Sequence, residues 1–303
     1  MRAAPPPGRP KAGPAILLEP SGEHPLRPRE GALVGAGNFA RAAASYDEAA
    51  VLARETHRRL AERLAWVKIA PRRVADIGCA TGDGIRELQK RYPQAQPLAI
   101  DFARPMLAAV HEQVPLLQRL RRRSPILVNA DVRALPLADG SLGLVWSNLV
   151  LHWLDDPQPA FKEVLRTLEV GGLFTFAMLG PDTLKELRLA GATSLRRFAD
   201  MHDIGDMLLA AGFAEPVMDM EMVTLTYRSP RRFLADQRHL GVRDGLLGHM
   251  SWRDWRRVLA AWADSHDAGG ALPATFEIVF GHAWKAEPRA AADGRAVIRF
   301  ARP

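Results

Sequence analysis

The sequence predicts an α/β fold in which a mostly parallel sheet carries helices on both faces. Three observations indicate it. Short apolar segments alternate with amphipathic ones from Pro71 to Met178, a glycine-rich turn follows the first apolar segment, and an acidic residue lies at the end of each of the next two. Short apolar strands joined by crossover helices are typical of parallel sheets covered on both faces.

The first predicted strand, Val74–Ile77, leads into a turn and then into a helix predicted over Asp83–Arg91. The small residues of this turn are Gly78, Ala80, Gly82 and Gly84. A strand, a glycine turn and a helix N-terminus let a ligand approach the backbone closely, with N–H groups directed at it. The spacing fits neither the G-x-G-x-x-G of dinucleotide sites nor the Gly-Lys-Ser/Thr ending of a Walker loop.

The other elements follow from the period of the apolar residues. Further strands are predicted at Pro97–Asp101, Ile126–Asn129, Leu142–Asn148, Leu173–Met178, Val217–Tyr227 and Thr275–Lys285. Further helices are predicted at Asn38–Val67, Pro105–Val114, Pro157–Leu168, Asp203–Ala211, Pro230–Leu240 and Trp252–His266.

These elements predict one domain over residues 38–285. It has an N-terminal helical lid at 38–70 and insertions near 181–200 and 229–270. Residues 1–37 are rich in Pro and Gly and are predicted to be a disordered tail, and 286–303 a loose C-terminal tail. A mitochondrial presequence is disfavoured because prolines interrupt the first segment.

Composition limits the possible classes of protein. Of the 303 residues 48% are apolar, yet no apolar run is long enough to cross a membrane and no secretory signal is evident. Cys79 is the one cysteine, which favours a reducing cytoplasm. The net charge of +7 allows an acidic protein, nucleic acid or membrane as partner. We expect neither nucleic acid nor membrane, because no added RNA-binding module or span is evident. No metal is expected either, since the histidines form no metal-binding motif.

The turn Asp76–Gly84 reads D-x-G-x-A-x-G-x-G, which resembles motif I of the Rossmann-like class I S-adenosylmethionine-dependent methyltransferases. That family usually has Gly where this chain has Ala80. The resemblance implies S-adenosylmethionine as cofactor, with Asp101 on the ribose, Met106 on the adenine, and Asp131 and Val132 on the adenine edge. By this resemblance the cofactor-binding residues are Asp76, Gly78, Ala80, Gly82, Asp101, Met106, Asp131, Val132 and Asn148. Asp101 also fits an acid that accepts both ribose hydroxyls, and an N-cap role is compatible with that contact.

Further strings narrow the resemblance. They are Phe39–Asp47, Asn148–Trp153, Gly180–Arg188, Met201–Asp206 and Gly212-Phe213. Together they are similar to the malonyl-acyl-carrier-protein O-methyltransferases of biotin synthesis, over roughly residues 38–285. The resemblance implies methyl transfer to the free carboxylate of a malonyl group on an acyl carrier protein. It places Tyr46 over the sulfonium and His152 in the pocket as catalytic residues. Enzymes that methylate amide or adenine nitrogens usually carry Asn/Asp-Pro-Pro-Tyr/Phe where this chain has Asn148-Leu-Val-Leu.

A malonyl carboxylate is ionised at pH 7, so its methylation needs no general base, and none is evident. We expect a cation to select it, from among Arg188, Arg196, Arg228 and Arg231. Basic segments 188–197 and 228–232 also suit a rim that docks the acidic carrier. The alternatives are another small-molecule methyltransferase, a non-enzymatic cofactor-binding protein, or an arginine hydroxylase. The hydroxylase alternative arises because the chain also resembles the mitochondrial complex I assembly factor, a protein associated with arginine hydroxylation that shares much of the Gly180–Arg188 string.

Overall fold

The computed structural model describes residues 36–115, 124–266 and 270–287. Its centre is a seven-stranded sheet of order β3-β2-β1-β4-β5-β7-β6. The strands are β1 (Arg73–Ile77), β2 (Gln96–Asp101), β3 (Ile126–Asn129), β4 (Leu142–Asn148), β5 (Leu168–Leu179), β6 (Ala214–Tyr227) and β7 (Leu272–Trp284). Strands β1 to β5 pair in parallel, whereas β7 is antiparallel to both β5 and β6. The predicted mostly parallel α/β fold is therefore confirmed.

Helices cover both faces of this sheet. They are α1 (Ala36–Ala42), α2 (Tyr46–Ala49), α3 (Val51–Leu64), α4 (Asp83–Arg91), α5 (Arg104–Gln113), α6 (Gln158–Thr167), α7 (Lys185–Leu189), α8 (Met201–Ala211), α9 (Pro230–His239), α10 (Arg243–Leu247) and α11 (Trp252–Ala263). A short 3-10 turn, Leu151–Trp153, follows β4.

Each face of the sheet has its own apolar core, because successive side chains of a strand point to opposite sides. In β4, Leu144 and Trp146 pack on the side of α3 and α4, whereas Val145 packs on the side of α6 and α8. The central strands are buried on both faces, which explains why they read as unbroken apolar runs. The parallel strands all end at one edge of the sheet, and the functional side chains lie along that edge.

The N-terminal region differs from its prediction. The helix predicted over Asn38–Val67 is wrong as a continuous element, because the chain turns at 43–45 and starts again as α2 and α3. The turn places α2 over the glycine turn, where the Thr81 hydroxyl donates to the Asp47 carboxylate at 2.5 Å. The proposed tails at 1–37 and 286–303 fall almost entirely outside the described residues. Ala36 and Gly37 already belong to α1.

Two searches of the described residues complete this picture. No helix among them is long and apolar enough to cross a membrane. No group of three or more His, Cys, Asp or Glu side chains in the same ranges is arranged to hold a metal ion.

Candidate active site

The turn after β1 has a backbone that admits little beyond glycine. Gly78 has φ +70°, and a Cβ built there would lie 2.2 Å from Val150 Cγ2. A Cβ on Gly84 would lie 2.3 Å from Asp76 Oδ2. Ala80 also has positive φ, at +44°, so it adopts a left-handed conformation that costs an L-residue roughly 1–2 kcal/mol. This is the position at which motif I usually has glycine.

One opening at this edge is the Asp101 cavity, whose walls include Gly78, Asp101, Phe102, Met106, Val132 and Asn148. The Ala80 and Ala103 amides donate to the two Asp101 carboxylate oxygens at 3.0 and 2.7 Å. These bonds fix the carboxylate at the end of β2. Burial nevertheless raises the pKa of Asp101 to about 6. The cavity thus combines one fixed acceptor with apolar walls.

Asp131 is oriented differently from Asp101. Its carboxylate accepts from the Arg133 backbone amide at 2.9 Å and forms an ion pair with the Arg133 guanidinium at 2.6 Å. Its neighbours Ala130 and Val132 line the Asp101 cavity, but Asp131 is not among the lining residues. The predicted adenine contact through the Asp131 side chain stays a prediction. In this structure the cavity wall is formed by the residues on either side of it.

A second space, the Asp76 pocket, lies between β1, β4 and α3. Four buried polar atoms around it have no hydrogen-bond partner among the described residues: His57 Nδ1, Asp76 Oδ2, Trp146 Nε1 and Asn148 Oδ1. Burial and the nearby Asp101 carboxylate raise the pKa of Asp76 to about 8. Unpaired buried polar groups are costly, so a concentration of them indicates a polar ligand. This set offers both donors and acceptors, as a zwitterionic amino acid requires.

A third space, the His152 cavity, lies under α1, α2, α9 and α10. Its polar wall groups are Tyr46, His152, Tyr227 and Gln237, and the rest of its wall is apolar. The His152 ring packs against Trp153 and Phe198, and its Nδ1 accepts from the Leu179 amide at 3.3 Å. Burial and the Arg196 guanidinium lower the pKa of His152 to about 3, so the imidazole is neutral.

Tyr46 lines all three spaces. It stands at the start of α2, and burial together with the Asp101 and Asp83 carboxylates raises the pKa of its phenol well above the ordinary value. The phenol is therefore un-ionised. Asn148 lines both the Asp101 cavity and the Asp76 pocket, and its amide donates to the Ala53 carbonyl of α3 at 2.9 Å. The three spaces therefore meet beneath α2, with Tyr46 at their junction.

The predicted arginines lie away from these spaces. Arg188 donates to the Thr183 and Arg196 carbonyls. Arg196 donates to the His152 and Trp153 carbonyls and pairs with Asp155 at 2.9 Å. Arg228 and Arg231 are exposed, beside Tyr227 and at the start of α9. Gly82 is also absent from the lining of the three spaces within the described chain, since it faces Val110 and Arg86 instead.

Comparison with known proteins identifies the kind of site. Residues 75–176 match a family described as a methyltransferase domain. The chain is 48% identical over 278 residues to the malonyl-[acyl-carrier protein] O-methyltransferase of Laribacter hongkongensis, covering 87% of this chain and 93% of that protein. This chain belongs to the malonyl-[acyl-carrier protein] O-methyltransferase family.

A second malonyl-[acyl-carrier protein] O-methyltransferase, from Gallionella capsiferriformans, is 46% identical over 273 residues, with 86% of this chain and 93% of that protein covered. Among solved structures, the YcgJ protein of Bacillus subtilis superposes with a TM-score of 0.54 over 77% of this chain and 100% of its own, at 16% identity. A suggested methyltransferase of Bacillus halodurans gives 0.56 at 14% identity, with the same coverage. These two structural similarities establish that the chain shares the fold of those proteins.

Several residues of the enzyme's cavities escaped prediction from sequence. Trp146 of β4 is the register partner of Asp76 of β1. Aligning the two predicted strands would therefore have placed Trp146 beside Asp76. His57 comes from the middle of α3, and Tyr227 and Gln237 come from the end of β6 and from α9. Tyr227 and Gln237 lie far along the chain from the glycine turn, and no local motif marks any of the three.

Proposed function

We propose that this enzyme transfers the methyl group of S-adenosylmethionine to the free carboxylate of a malonyl group held as a thioester on acyl carrier protein. The observation that carries the proposal is the meeting of three spaces at Tyr46 in a chain of this family. Two of the spaces suit the two ends of the cofactor, and the third suits an acyl group. The resemblance further implies the early step of biotin synthesis, in the cytoplasm.

The residues present fit the cofactor. The unpaired atoms of the Asp76 pocket match an α-amino acid: Asp76 Oδ2 and Asn148 Oδ1 would accept from its ammonium group, and Trp146 Nε1 would donate to its carboxylate. In the Asp101 cavity, Asp101 would accept from the ribose hydroxyls. Met106 and Val132 would pack on the adenine. Gly78 and Ala80 line both spaces, where the ribose and the amino acid are joined.

S-adenosylmethionine supplies an electrophilic methyl group: the methyl–sulfur bond breaks as the oxygen–methyl bond forms, and the sulfur keeps the electron pair. No proton moves, because the carboxylate is already ionised at pH 7. The protein therefore has to position the two reactants and exclude water. Phe39, Tyr46, Leu149 and Trp153, which are shared by the Asp101 and His152 cavities, suit that task. Leu149 is held at φ +56°, a strained conformation at the junction.

The lid at 38–70 and the insertions near 181–200 and 229–270 remain part of the proposal. Helices α1 to α3 cover the cofactor spaces, and α9 and α10 supply Gln237 and Leu246 to the His152 cavity. Exposed Arg228 and Arg231 stand beside Tyr227 and on the helix that bears Gln237, where an acidic carrier would dock.

The decisive test incubates the enzyme with S-adenosylmethionine and either malonyl- or acetyl-acyl carrier protein, followed by mass spectrometry of the intact carrier. We expect one added methyl group on the malonyl carrier and none on the acetyl carrier. Equal labelling of both carriers would contradict carboxylate methylation. An added oxygen on a protein arginine would instead support the hydroxylase alternative.

A further inference from the structure

The His152 cavity is unusual for a site that takes an acid, because its polar wall groups are all uncharged. Among the described residues that line it there is no Arg, Lys, Asp or Glu. Its polar groups are the phenols of Tyr46 and Tyr227, the amide of Gln237 and the imidazole of His152. Burial raises the pKa of both phenols well above their ordinary values, so neither phenol is ionised at neutral pH.

Two partly buried arginines behind the cavity wall are already engaged. Arg196 donates its N–H groups to the His152 and Trp153 carbonyls and pairs with Asp155. Arg188 donates to the Thr183 and Arg196 carbonyls. Both guanidinium groups hold the chain behind the cavity wall. Moving either into the cavity would leave these carbonyl groups without a hydrogen-bond donor, which is unfavourable.

The hydrogen-bonding state of His152 follows from its neighbours. Because the Leu179 amide donates to Nδ1, that nitrogen must be the unprotonated one. The proton of the neutral ring is therefore on Nε2, which is buried and has no partner in the described part of the chain. His152 is only 5% exposed. It thus presents one fixed and unused N–H donor, and Gln237, 2% exposed on the same wall, adds an amide.

A buried carboxylate needs both hydrogen bonds and a counter-charge, because desolvation of an unpaired ion costs several kcal/mol. Neutral donors supply only the hydrogen bonds. We propose that the enzyme recognises the substrate carboxylate through the neutral donors His152 Nε2–H and Gln237, and that the counter-charge comes from the positively charged methyl donor bound next to Tyr46. This inference rests on the proposed function and replaces the arginine that the sequence led us to expect.

Two consequences follow from this charge arrangement. The acid enters a favourable site only when the cationic cofactor is already bound, so binding is ordered and cooperative. A neutral donor also leaves the carboxylate oxygen more nucleophilic than an arginine pair would. After transfer the ester and the thioether are both neutral, so the attraction that held the substrate is lost and product release is favoured.

The test measures binding and needs no turnover. Titration calorimetry would give the dissociation constant of malonyl-pantetheine for the enzyme loaded with either S-adenosylhomocysteine, which is neutral at sulfur, or sinefungin, which carries an ammonium group there. We expect the acid to bind at least about tenfold more tightly to the sinefungin complex, equivalent to about 1.4 kcal/mol. The methyl ester of the same ligand serves as the matched neutral control and should differ by less than about twofold. Equal affinity of the acid for both complexes would overturn the inference, because a protein cation must then provide the charge.

Variants of His152 separate donation from packing. His152→Gln keeps an N–H donor, whereas His152→Phe keeps a ring without one. In the sinefungin complex we expect His152→Phe to weaken binding of malonyl-pantetheine by about tenfold and His152→Gln to weaken it by about threefold or less. The affinity for sinefungin should be unchanged in both variants. Equal losses for the two variants would contradict the donor role. If the enzyme methylates the malonyl carrier but malonyl-pantetheine binds equally to the S-adenosylhomocysteine and sinefungin complexes, only this inference is refuted. Absence of any malonyl methylation refutes the proposed function itself.

Discussion

At the scale of single residues, Ala80 is the departure from motif I that matters most. Its Cβ is carried at φ +44°, yet its amide still donates to Asp101. Glycine there would relieve the left-handed strain, roughly 1–2 kcal/mol, and would lose roughly 0.5–1 kcal/mol through added freedom of the unfolded chain.

We therefore expect Ala80→Gly to raise the melting temperature slightly and to leave the S-adenosylmethionine dissociation constant nearly unchanged. Ala80→Val should weaken cofactor binding by about tenfold or more, because a β-branched residue resists positive φ and its methyl groups would enter the cavity. Calorimetric titration measures the affinities, with Ala235→Val on α9 as a control for the added methyl groups. Full affinity in Ala80→Val would show that the turn can rearrange.

Asp76 gives a second prediction at this scale, from the direction of its pKa shift. Its pKa is raised from 3.8 to about 8 in the folded chain, mainly through burial and then through Asp101. The folded state therefore binds a proton that the unfolded chain releases above about pH 4. This contribution to stability is complete below about pH 4 and is lost as the pH rises through the folded pKa.

Asp76→Asn removes this ionisation. In the absence of cofactor, we expect the variant to gain stability relative to the wild type progressively from about pH 4 to about pH 8. Thermal denaturation across this pH range measures the difference. Asp264→Asn, an exposed position at the end of α11, should show no such trend. A pH-independent difference would mean that the carboxyl group is neutral throughout, or that solvent reaches it.

At the scale of elements, α3 is bound to the sheet by ion pairs with β6. Arg63 pairs with Asp219 at 3.0 Å and with Glu221 at 2.5 Å, and its guanidinium lies 3.8 Å from the centre of the Phe280 ring. Arg59 also pairs with Glu221. Because α3 contributes His57 and the carbonyl that holds Asn148, its placement decides the shape of the Asp76 pocket.

Glu221→Gln should weaken this attachment. The Glu221 side chain is 36% exposed, so solvent screening limits the loss of unfolding free energy to about 1 kcal/mol or less. Cofactor affinity should fall by a few fold, because α3 samples positions away from the pocket. Glu62→Gln, which breaks the exposed Arg58 pair on the same helix, should change neither quantity. Loss of stability with unchanged cofactor affinity would show that α3 stays in place without the pairs.

The elements also show which parts of the fold can be predicted from sequence. Strand β4 was predicted with the bounds that the structure has, because it is an apolar run buried on both faces. The break before α2 was not predicted, since residues 43–45 are Ala-Ala-Ser and have no strong helix-breaking residue. The start of α2 is held by a tertiary contact, the bond from Thr81 to Asp47. A local pattern cannot report a contact between segments that are distant in the chain.

At the scale of the whole molecule, the same division applies to the site. The cofactor-binding residues that line the Asp101 cavity could be predicted, because each lies in a local motif at the end of a strand. They are Gly78, Ala80, Asp101, Met106, Val132 and Asn148. The wall of the His152 cavity, where we propose that the substrate binds, could not be predicted in this way. It combines α2, the turn after β4, β6 and α9. Of the expected arginines, Arg188 and Arg196 bond to backbone carbonyls, and the other two are exposed. Neutral donors such as Gln237 leave no signature in a sequence.

The overall charge leads to a last prediction, which concerns the carrier. A chain of net charge +7 should attract the acidic carrier protein that we propose as its partner over long distances, and salt should screen this attraction. Between ~0.05 M and ~0.3 M salt, the KM for malonyl-acyl carrier protein should rise several-fold, whereas the KM for malonyl-pantetheine should stay nearly constant. Steady-state methylation assays with both substrates measure the contrast.

Position decides whether this attraction is specific. Arg228→Glu with Arg231→Glu reverses the charge beside the His152 cavity, and we expect the carrier KM to rise by about tenfold with the malonyl-pantetheine KM unchanged. Arg73→Glu places a new acid at the start of β1, at the opposite edge of the sheet from the site. It should raise the carrier KM by about twofold at most. If each reversed charge raises the carrier KM equally at both edges of the sheet, net charge alone attracts the carrier. A larger effect at Arg228 and Arg231 means that the carrier docks where its malonyl arm can reach the neutral donors of the cavity.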